Sequence, residues 1–403
     1  MNILFITIGK LADINAPGIY TDLLRCYKKH GHEVYVVTAR EKRNNQETEY
    51  RNEDGFHFLR VKIGNITKCG ALEKGISTVL VERQYIAAMR KYLTGVKFDL
   101  VLYTTPPITF LKAVHYIKKR DGAKTYLLLK DIFPQNAVDI GMISKSGPKG
   151  LVYRHFRKQE KALYRISDHI GCMSQANMEY LSKHNPELNS QIIEVCPNTT
   201  DPVDMSCTEE ERNEIRQKYA IPSDRKVFVY GGNLGKPQGI PFIIECLRKC
   251  RDLETVYFLL VGDGTEYRKL EAYIEAEKPG NVKLMQRLPK EDYDRMVGAC
   301  DVGLIFLDHC FTIPNFPSRL LSYMQAKIPV LASTDPNTDI GTVICEGQFG
   351  WWCESNNADA FKEKVGTVIQ SNIKEMGLNG FTYLNEHYTS EKAYQTIMSH
   401  FDC

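Results

Sequence analysis

Residues 226–239 read Lys226-Val227-Phe228-Val229-Tyr230-Gly231-Gly232-Asn233-Leu234-Gly235-Lys236-Pro237-Gln238-Gly239. An unbroken apolar run gives way to glycines, and a helical pattern follows at residues 241–248. A strand without polar alternation is covered on both faces, as parallel sheets flanked by helices require. Glycines straight after such a strand let a bulky anion approach the backbone, and Lys236 can neutralise phosphate charge. The stretch is not the dinucleotide Gly-x-Gly-x-x-Gly fingerprint, because Asn233 takes the second glycine position counted from Gly231. Nor is it a P-loop, since no Gly-Lys-Ser/Thr follows at the right distance. A glycine-rich turn of structural value alone is the competing reading.

The same alternation extends in both directions. Downstream, apolar runs at residues 256–261, 282–286, 302–306 and 330–332 alternate with helical patterns at 266–277, 290–299 and 317–326. Upstream, strands are predicted at residues 3–8, 33–38, 100–103, 125–129 and 168–172. Helices are predicted at 20–29, 108–120 and 144–165. Strands joined by crossover helices describe a doubly wound α/β sheet, and here the pattern occurs twice. The restart follows Pro197-Asn198-Thr199-Thr200-Asp201-Pro202. We therefore expect two Rossmann-like domains, 1–200 and 201–385, with a closing helix at about 386–403 able to pack back onto the first.

The chain's 403 residues suit two such domains. Its 43% hydrophobic and 25% charged residues exclude a disordered or membrane-spanning class. The most apolar region, residues 100–111, is broken by Pro106 and Pro107. Met1-Asn2-Ile3-Leu4-Phe5-Ile6 has no basic lead and reads as a buried first strand, not a secretory signal. The twelve cysteines contain no Cys-x-x-Cys pair, so reduced thiols in the cytoplasm are expected in place of a disulfide or zinc framework. The net charge of +3 conceals an asymmetry. Residues 1–200 hold 30 Lys and Arg against 19 Asp and Glu, and residues 201–403 hold 22 against 30. The basic half could meet an anionic surface or phosphorylated ligand, although chance scatter of solvated charge gives the same count.

Three further motifs follow predicted strands. Val261-Gly262-Asp263-Gly264-Thr265-Glu266 is either a tight turn with Thr265 as cap or part of a ligand loop. In Pro314-Asn315-Phe316-Pro317-Ser318-Arg319-Leu320-Leu321-Ser322-Tyr323, the proline predicts a helix beginning near Pro317. Free N–H groups, the Ser318 hydroxyl and the Arg319 guanidinium would then converge on a diphosphate; an ordinary capped helix is the alternative. In Lys130-Asp131-Ile132-Phe133-Pro134-Gln135-Asn136, the carboxylate at a strand end could orient or deprotonate an acceptor, or could brace a loop.

In order and spacing these motifs resemble the retaining GT-B glycosyltransferases of family 4. The likeness is strongest to the bacterial branch that builds O-antigen and capsule repeat units, such as the N-acetylfucosaminyl transferase-like proteins. It also takes in His30-Gly31-His32-Glu33-Val34, Pro197-Asn198 and Pro329-Val330. The resemblance implies a nucleotide-sugar donor on the C-terminal domain, an acceptor on the N-terminal one, and catalysis in the cleft between them. It places Gly232, Asn233, Lys236 and Gln238 on the donor loop, with Gly262 beyond the next strand. Asn315, Ser318 and Arg319 fall at the helix start that holds the distal phosphate. Arg287 and Leu288 fall where backbone groups read the base, Gly18 at a turn facing the phosphates, and Asp131 at or beside the acid/base position. Lys236 and Arg319 join Asp131 as the catalytic set. The family's two glutamates, eight positions apart, are here Pro314 and Ser322. A serine replacing the ribose-binding carboxylate costs roughly 1–3 kcal/mol.

The implied reaction is retaining transfer from a nucleoside diphosphate sugar, UDP by family precedent, to a glycan or lipid-linked oligosaccharide. Helix dipole, Ser318, Arg319 and Lys236 would stabilise the leaving diphosphate, so no metal or other cofactor is expected. Asp292-Tyr293-Asp294 spells a cation motif but reads as a solvated helix face. Lys145, Lys149, Arg154, Arg157, Lys158, Lys161 and Arg165, with Tyr153, Phe156 and Tyr164, could rest a helix on anionic lipid at the inner face of the cytoplasmic membrane; a solvent-facing connector is the alternative. A degenerate GT-B partner protein and a nucleotide-sugar 2-epimerase are the other functions this pattern allows. No nucleic-acid module is present among the basic and aromatic residues.

Overall fold

The computed structural model describes residues 1–67, 69–188 and 192–401. Contacts divide the chain into two compact units: Met1–Asp201 together with the chain from Ser390, and Pro202–Thr389.

The first unit is built on an eight-stranded sheet. Its strands are β1 (Asn2–Ile6), β2 (Glu33–Glu41), β3 (Glu49–Glu53), β4 (Phe56–Ile63), β5 (Leu100–Thr105), β6 (Lys124–Leu129), β7 (His169–Cys172) and β8 (Ile193–Val195). Their order is β3-β4-β2-β1-β5-β6-β7-β8, and every pair is parallel except β3 with β4. The apolar run of β1 lies near the middle, with Leu4 opposite Tyr35 on one side and Val101 on the other. Ile3, Phe5, Val34, Val36, Leu100, Leu102 and their helical partners make one core. The helix Ser390–Met398 adds Ala393, Ile397 and Met398 to that core. Burying a side chain such as Ile397 stabilises by about 1.5–3 kcal/mol, which accounts for the chain's return to its first unit.

The β3–β4 hairpin and the long helix Ala71–Tyr92 fall where no element was predicted. The hairpin turns at Asp54 and Gly55, both at positive φ, the conformation that Asp-Gly pairs favour between antiparallel strands. The helix predicted at 144–165 is Gly147–Ile166.

The second unit carries six parallel strands: β9 (Lys226–Asn233), β10 (Val256–Asp263), β11 (Val282–Met285), β12 (Val302–Phe306), β13 (Val330–Thr334) and β14 (Gly350–Glu354). The order β11-β10-β9-β12-β13-β14 is a doubly wound sheet that reverses direction between β9 and β12. Phe228, Tyr230, Phe258, Leu260, Leu304 and Phe361 centre its core. The expected pair of Rossmann-like units is thus what the chain forms. β14 and the helices Ala358–Gln370 and Ile373–His387 complete the second unit beyond the last predicted strand.

Candidate active site

Open α/β sheets take ligands outside the carboxyl ends of their strands, at the point where strand order reverses. In the second unit that point lies between β9 and β12, and the loops leaving the two strands are tied together. The Asp308 N–H donates to the Pro237 carbonyl at 2.9 Å. Gly239, at φ +64°, lies so near Asp308 that a Cβ would come within 3.3 Å of its Cα.

Arg319 is the centre of this region. Its guanidinium lies 4.3 Å over the Tyr230 ring, and a Cβ on Gly232 would stand 3.5 Å from its Nη2. Tyr230, Tyr293 and Tyr323 surround it. Burial works against its charge, but the tyrosine oxygens more than offset that and hold its pKa above the usual value. Nη1 is buried and has no hydrogen-bond partner, and Arg319 makes no ion pair among the described residues. The residue as a whole is part-buried, and a cation held partly out of water with no counter-ion favours an anion beside it. Local packing fixes the arrangement. The Tyr323 hydroxyl donates to the Val229 and Leu304 carbonyls beneath β9 and β12, and a Cβ at Gly231 would fall 1.8 Å from the Tyr293 oxygen.

Other predicted residues stand at the same strand ends in several roles. Lys236 and Asn233 are exposed, and Ser318 is exposed with a hydroxyl that makes no bond within the described residues. The helix predicted from Pro317 begins at Arg319 and is seven residues long, with Ser318 already in helical conformation and no side-chain cap. Convergence on this helix start therefore rests on the Arg319 side chain more than on an extended dipole. Gln238 lies on the same loop. It is buried, and its Oε1 accepts from Asn233 Nδ2 at 2.9 Å and Gly235 N–H at 3.2 Å, so it braces the loop. Gly262 is likewise a packing residue, since a Cβ there would lie 1.9 Å from the Gly232 carbonyl oxygen. Arg287 is exposed and Leu288 half-buried just beyond β11. The Asn315 carbonyl accepts the Thr338 hydroxyl at 2.6 Å, Pro314 is buried, and Ser322 is half-buried.

Asp292-Tyr293-Asp294 also departs from expectation. The two carboxylates pair with Lys218 and Lys290, but the tyrosine between them faces inward against Gly231 and Arg319. Asp335, unmarked in the sequence, is buried just after β13. Its Oδ1 accepts the Asn337 and Thr338 N–H groups, its Oδ2 is unpartnered, and burial pushes its carboxyl up to about 6.

The first unit holds a separate cluster after β6. Burial pushes the Asp131 carboxyl up to about 6, against the Ile132 N–H and the Asn136 amide, which donates to its Oδ2 at 2.6 Å. Burial lowers the neighbouring Lys130 ammonium to about 8. A carboxyl poised near neutrality at a strand end suits proton transfer. Gly18 sits before the helix Ile19–Lys29, where its N–H donates to Asp22 Oδ1 at 2.9 Å.

Two doubly wound α/β units of this kind make up the GT-B glycosyltransferase fold, which the chain shares with its solved structural neighbours. Residues 211–379, within the second unit, match the model of the family described as glycosyl transferases group 1. Among curated relatives, WbjE of Pseudomonas aeruginosa, named a probable glycosyltransferase, is 23% identical over 334 residues, 80% of each chain. WcaI of Escherichia coli (strain K12), named for a proposed role as a colanic acid biosynthesis glycosyl transferase, is 22% identical over 362 residues, 86% of each chain. Among solved structures, Anabaena Alr3699/HepE in complex with UDP and glucose superposes with a TM-score of 0.69 at 16% identity, covering 99% of both chains.

Proposed function

We propose that this protein is a metal-independent, retaining glycosyltransferase of family 4. It takes a sugar from a nucleoside diphosphate donor of the UDP type and passes it to a glycan or lipid-linked oligosaccharide in surface polysaccharide assembly. The single observation that carries this reading is the unpaired, tyrosine-held guanidinium of Arg319 beside Gly232. A diphosphate supplies the counter-charge that the fold leaves out, and bidentate contact suits a guanidinium. Lys236 reaches the same anion from the exposed loop, and together the two cations stabilise charge as it builds on the leaving group. In the first unit, Asp131 serves as acid/base toward the acceptor. The polysaccharide setting is supported by the printed role of WcaI, and the UDP donor by the ligand of Alr3699/HepE.

Calorimetric titration of UDP tests the reading. Arg319→Gln should weaken binding at least about thirtyfold, and Arg319→Lys about tenfold, because charge remains but the fork is lost. Equal UDP affinity in wild type and both variants would overturn it. Transfer from a labelled UDP-sugar to lipid extract should continue undiminished in EDTA; its abolition, with restoration by a divalent ion, would refute metal independence.

One observation favours a second reading, a degenerate partner that binds nucleotide without transferring. Pro314 and Ser322 stand where the family carries glutamates. UDP binding without turnover over any acceptor fraction would select it, and donor conversion without acceptor would select an epimerase.

A further inference from the structure

Away from the strand ends discussed above, three side chains meet at the far edge of the first unit's sheet. His169 opens β7, Glu194 lies in β8, and His400 follows the returning helix Ser390–Met398. Their ligating atoms all fall within 4.8 Å of one another. His400 Nε2 stands 2.9 Å from Glu194 Oε1, and the His169 and His400 rings stack with centroids 3.9 Å apart. From these positions we propose that His169, Glu194 and His400 form a site for a divalent transition ion of the zinc class, which fastens the returning segment to the sheet.

The donor set is chemically apt. Two imidazoles and one carboxylate, with a solvent in the fourth position, suit zinc, cobalt or nickel and not the oxygen-seeking calcium or magnesium. The second shell is in place as well. The buried Tyr126 hydroxyl donates to Glu194 Oε1 at 2.8 Å and so orients the carboxylate, the kind of support that metal ligands require. Phe401 packs edge-on against both His169 and Tyr126, which holds the segment over the site. His169 Nδ1 is buried and has no hydrogen-bond partner. Ligands of a tetrahedral zinc ion lie roughly 3.3 Å apart, given bonds of about 2.0–2.1 Å, so an ion would draw these atoms together by up to about 1.5 Å and turn the stacked His169 and His400 rings until their nitrogens converge.

A second cluster at the other end of the same helix serves as the internal comparison. Cys26, His30 and Glu391 also lie within 4.8 Å, but they are satisfied by each other. The Cys26 thiol donates to Glu391, His30 contacts both carboxylate oxygens, and burial, reinforced by Glu391, pushes the thiol up to about 12.

Cobalt(II) added to the metal-free full chain is the probe, with zinc affinity read by competition against a chromophoric chelator. One equivalent should bind with the visible bands of a tetrahedral nitrogen–oxygen site and no thiolate charge-transfer band. Hydrogen exchange across residues 390–400 should slow when zinc is added. His400→Ala and Glu194→Gln should each weaken zinc by at least about tenfold and abolish the exchange effect, while Cys26→Ser changes neither. Circular dichroism identifies any variant that fails to fold, and Glu194→Gln keeps an acceptor for Tyr126. No zinc or cobalt binding up to millimolar ion, binding unchanged in His400→Ala and Glu194→Gln, or a thiolate band lost in Cys26→Ser would each overturn the proposal. None of these readouts depends on sugar transfer.

Discussion

At the scale of single residues, the two candidate groups carry opposite strains. Arg319 is a charge kept without a counter-ion among the described residues, whereas Asp131 is a carboxyl that burial discourages from ionising. The consequence for Asp131 has a definite sign. Between its ordinary 3.8 and about 6, the folded chain keeps a proton that the unfolded chain has lost. Stability contributed by this group is therefore full at low pH, falls as pH rises through that window, and stays lost above it. Asp131→Asn removes the penalty. We expect the variant to be more stable than wild type by about 1–3 kcal/mol at pH 7, with the advantage shrinking toward pH 4, as read by chemical denaturation at both values. The same variant should lose transfer activity by about a hundredfold or more, since an amide cannot exchange the proton. A variant that is active and no more stable at pH 7 would contradict both assignments. The carboxylate itself was legible from its place after a strand. Its environment was not, because the partner Asn136 and the burial arise only when the following turn folds back.

At the scale of elements, what could be read was whatever local chain physics sets. Parallel strands buried on both faces are continuous apolar runs, so β1, β9, β10 and β12 announced themselves. The edge strand β3, Glu49-Tyr50-Arg51-Asn52-Glu53, is polar and looks like a loop, although Asp54-Gly55 was a usable hairpin signal. The helix Ala71–Tyr92 escaped because its apolar residues do not gather on one face; Ile76, Val79 and Leu80 are exposed. The tyrosine cage is a product of three elements: Tyr230 from β9, Tyr293 from the helix Lys290–Gly298, and Tyr323 from the helix Arg319–Gln325. Only the packed sheet brings them round one guanidinium, and Gly231 is what allows the approach. Gly231→Ala would place its Cβ against the Tyr293 oxygen, and we expect a stability loss of about 1–3 kcal/mol with weaker UDP binding. In a Tyr293→Ala background the added loss should shrink markedly, because the clashing atoms are gone. Additive losses, measured by a double-mutant cycle in denaturant, would mean that Tyr293 is not what restricts position 231.

For the whole molecule, the basic excess of residues 1–200 finds its sharpest expression on the helix Gly147–Ile166, and the structure divides that helix in two. Toward its end Arg157 pairs with Glu160, while Lys161 and Arg165 share Glu187, so those charges are already answered within the protein. By contrast Lys145, just before the helix, and Lys149, Arg154 and Lys158 on it are exposed and make no ion pair among the described residues. Met142, Leu151 and Val152 project among them, at 59%, 64% and 43% exposure. No helix among the described residues is long and apolar enough to cross a bilayer. Unanswered cations near a lipid surface contribute about 1 kcal/mol each, and exposed apolar side chains add insertion into the headgroup layer. The division predicts which substitutions matter. Reversing Lys145, Lys149, Arg154 and Lys158 to Glu should abolish sedimentation with vesicles containing anionic phospholipid, whereas reversing Lys161 and Arg165 should weaken it little. Binding of the wild type should fall steeply as salt rises, because a Debye length of about 10 Å at 0.1 M screens exposed charge. Leu151→Ser with Val152→Ser should lower the affinity that persists at high salt, separating insertion from attraction. Vesicle binding that ignores salt and both sets of reversals would assign this helix to solvent, and would leave the lipid-linked acceptor without a docking surface on this face.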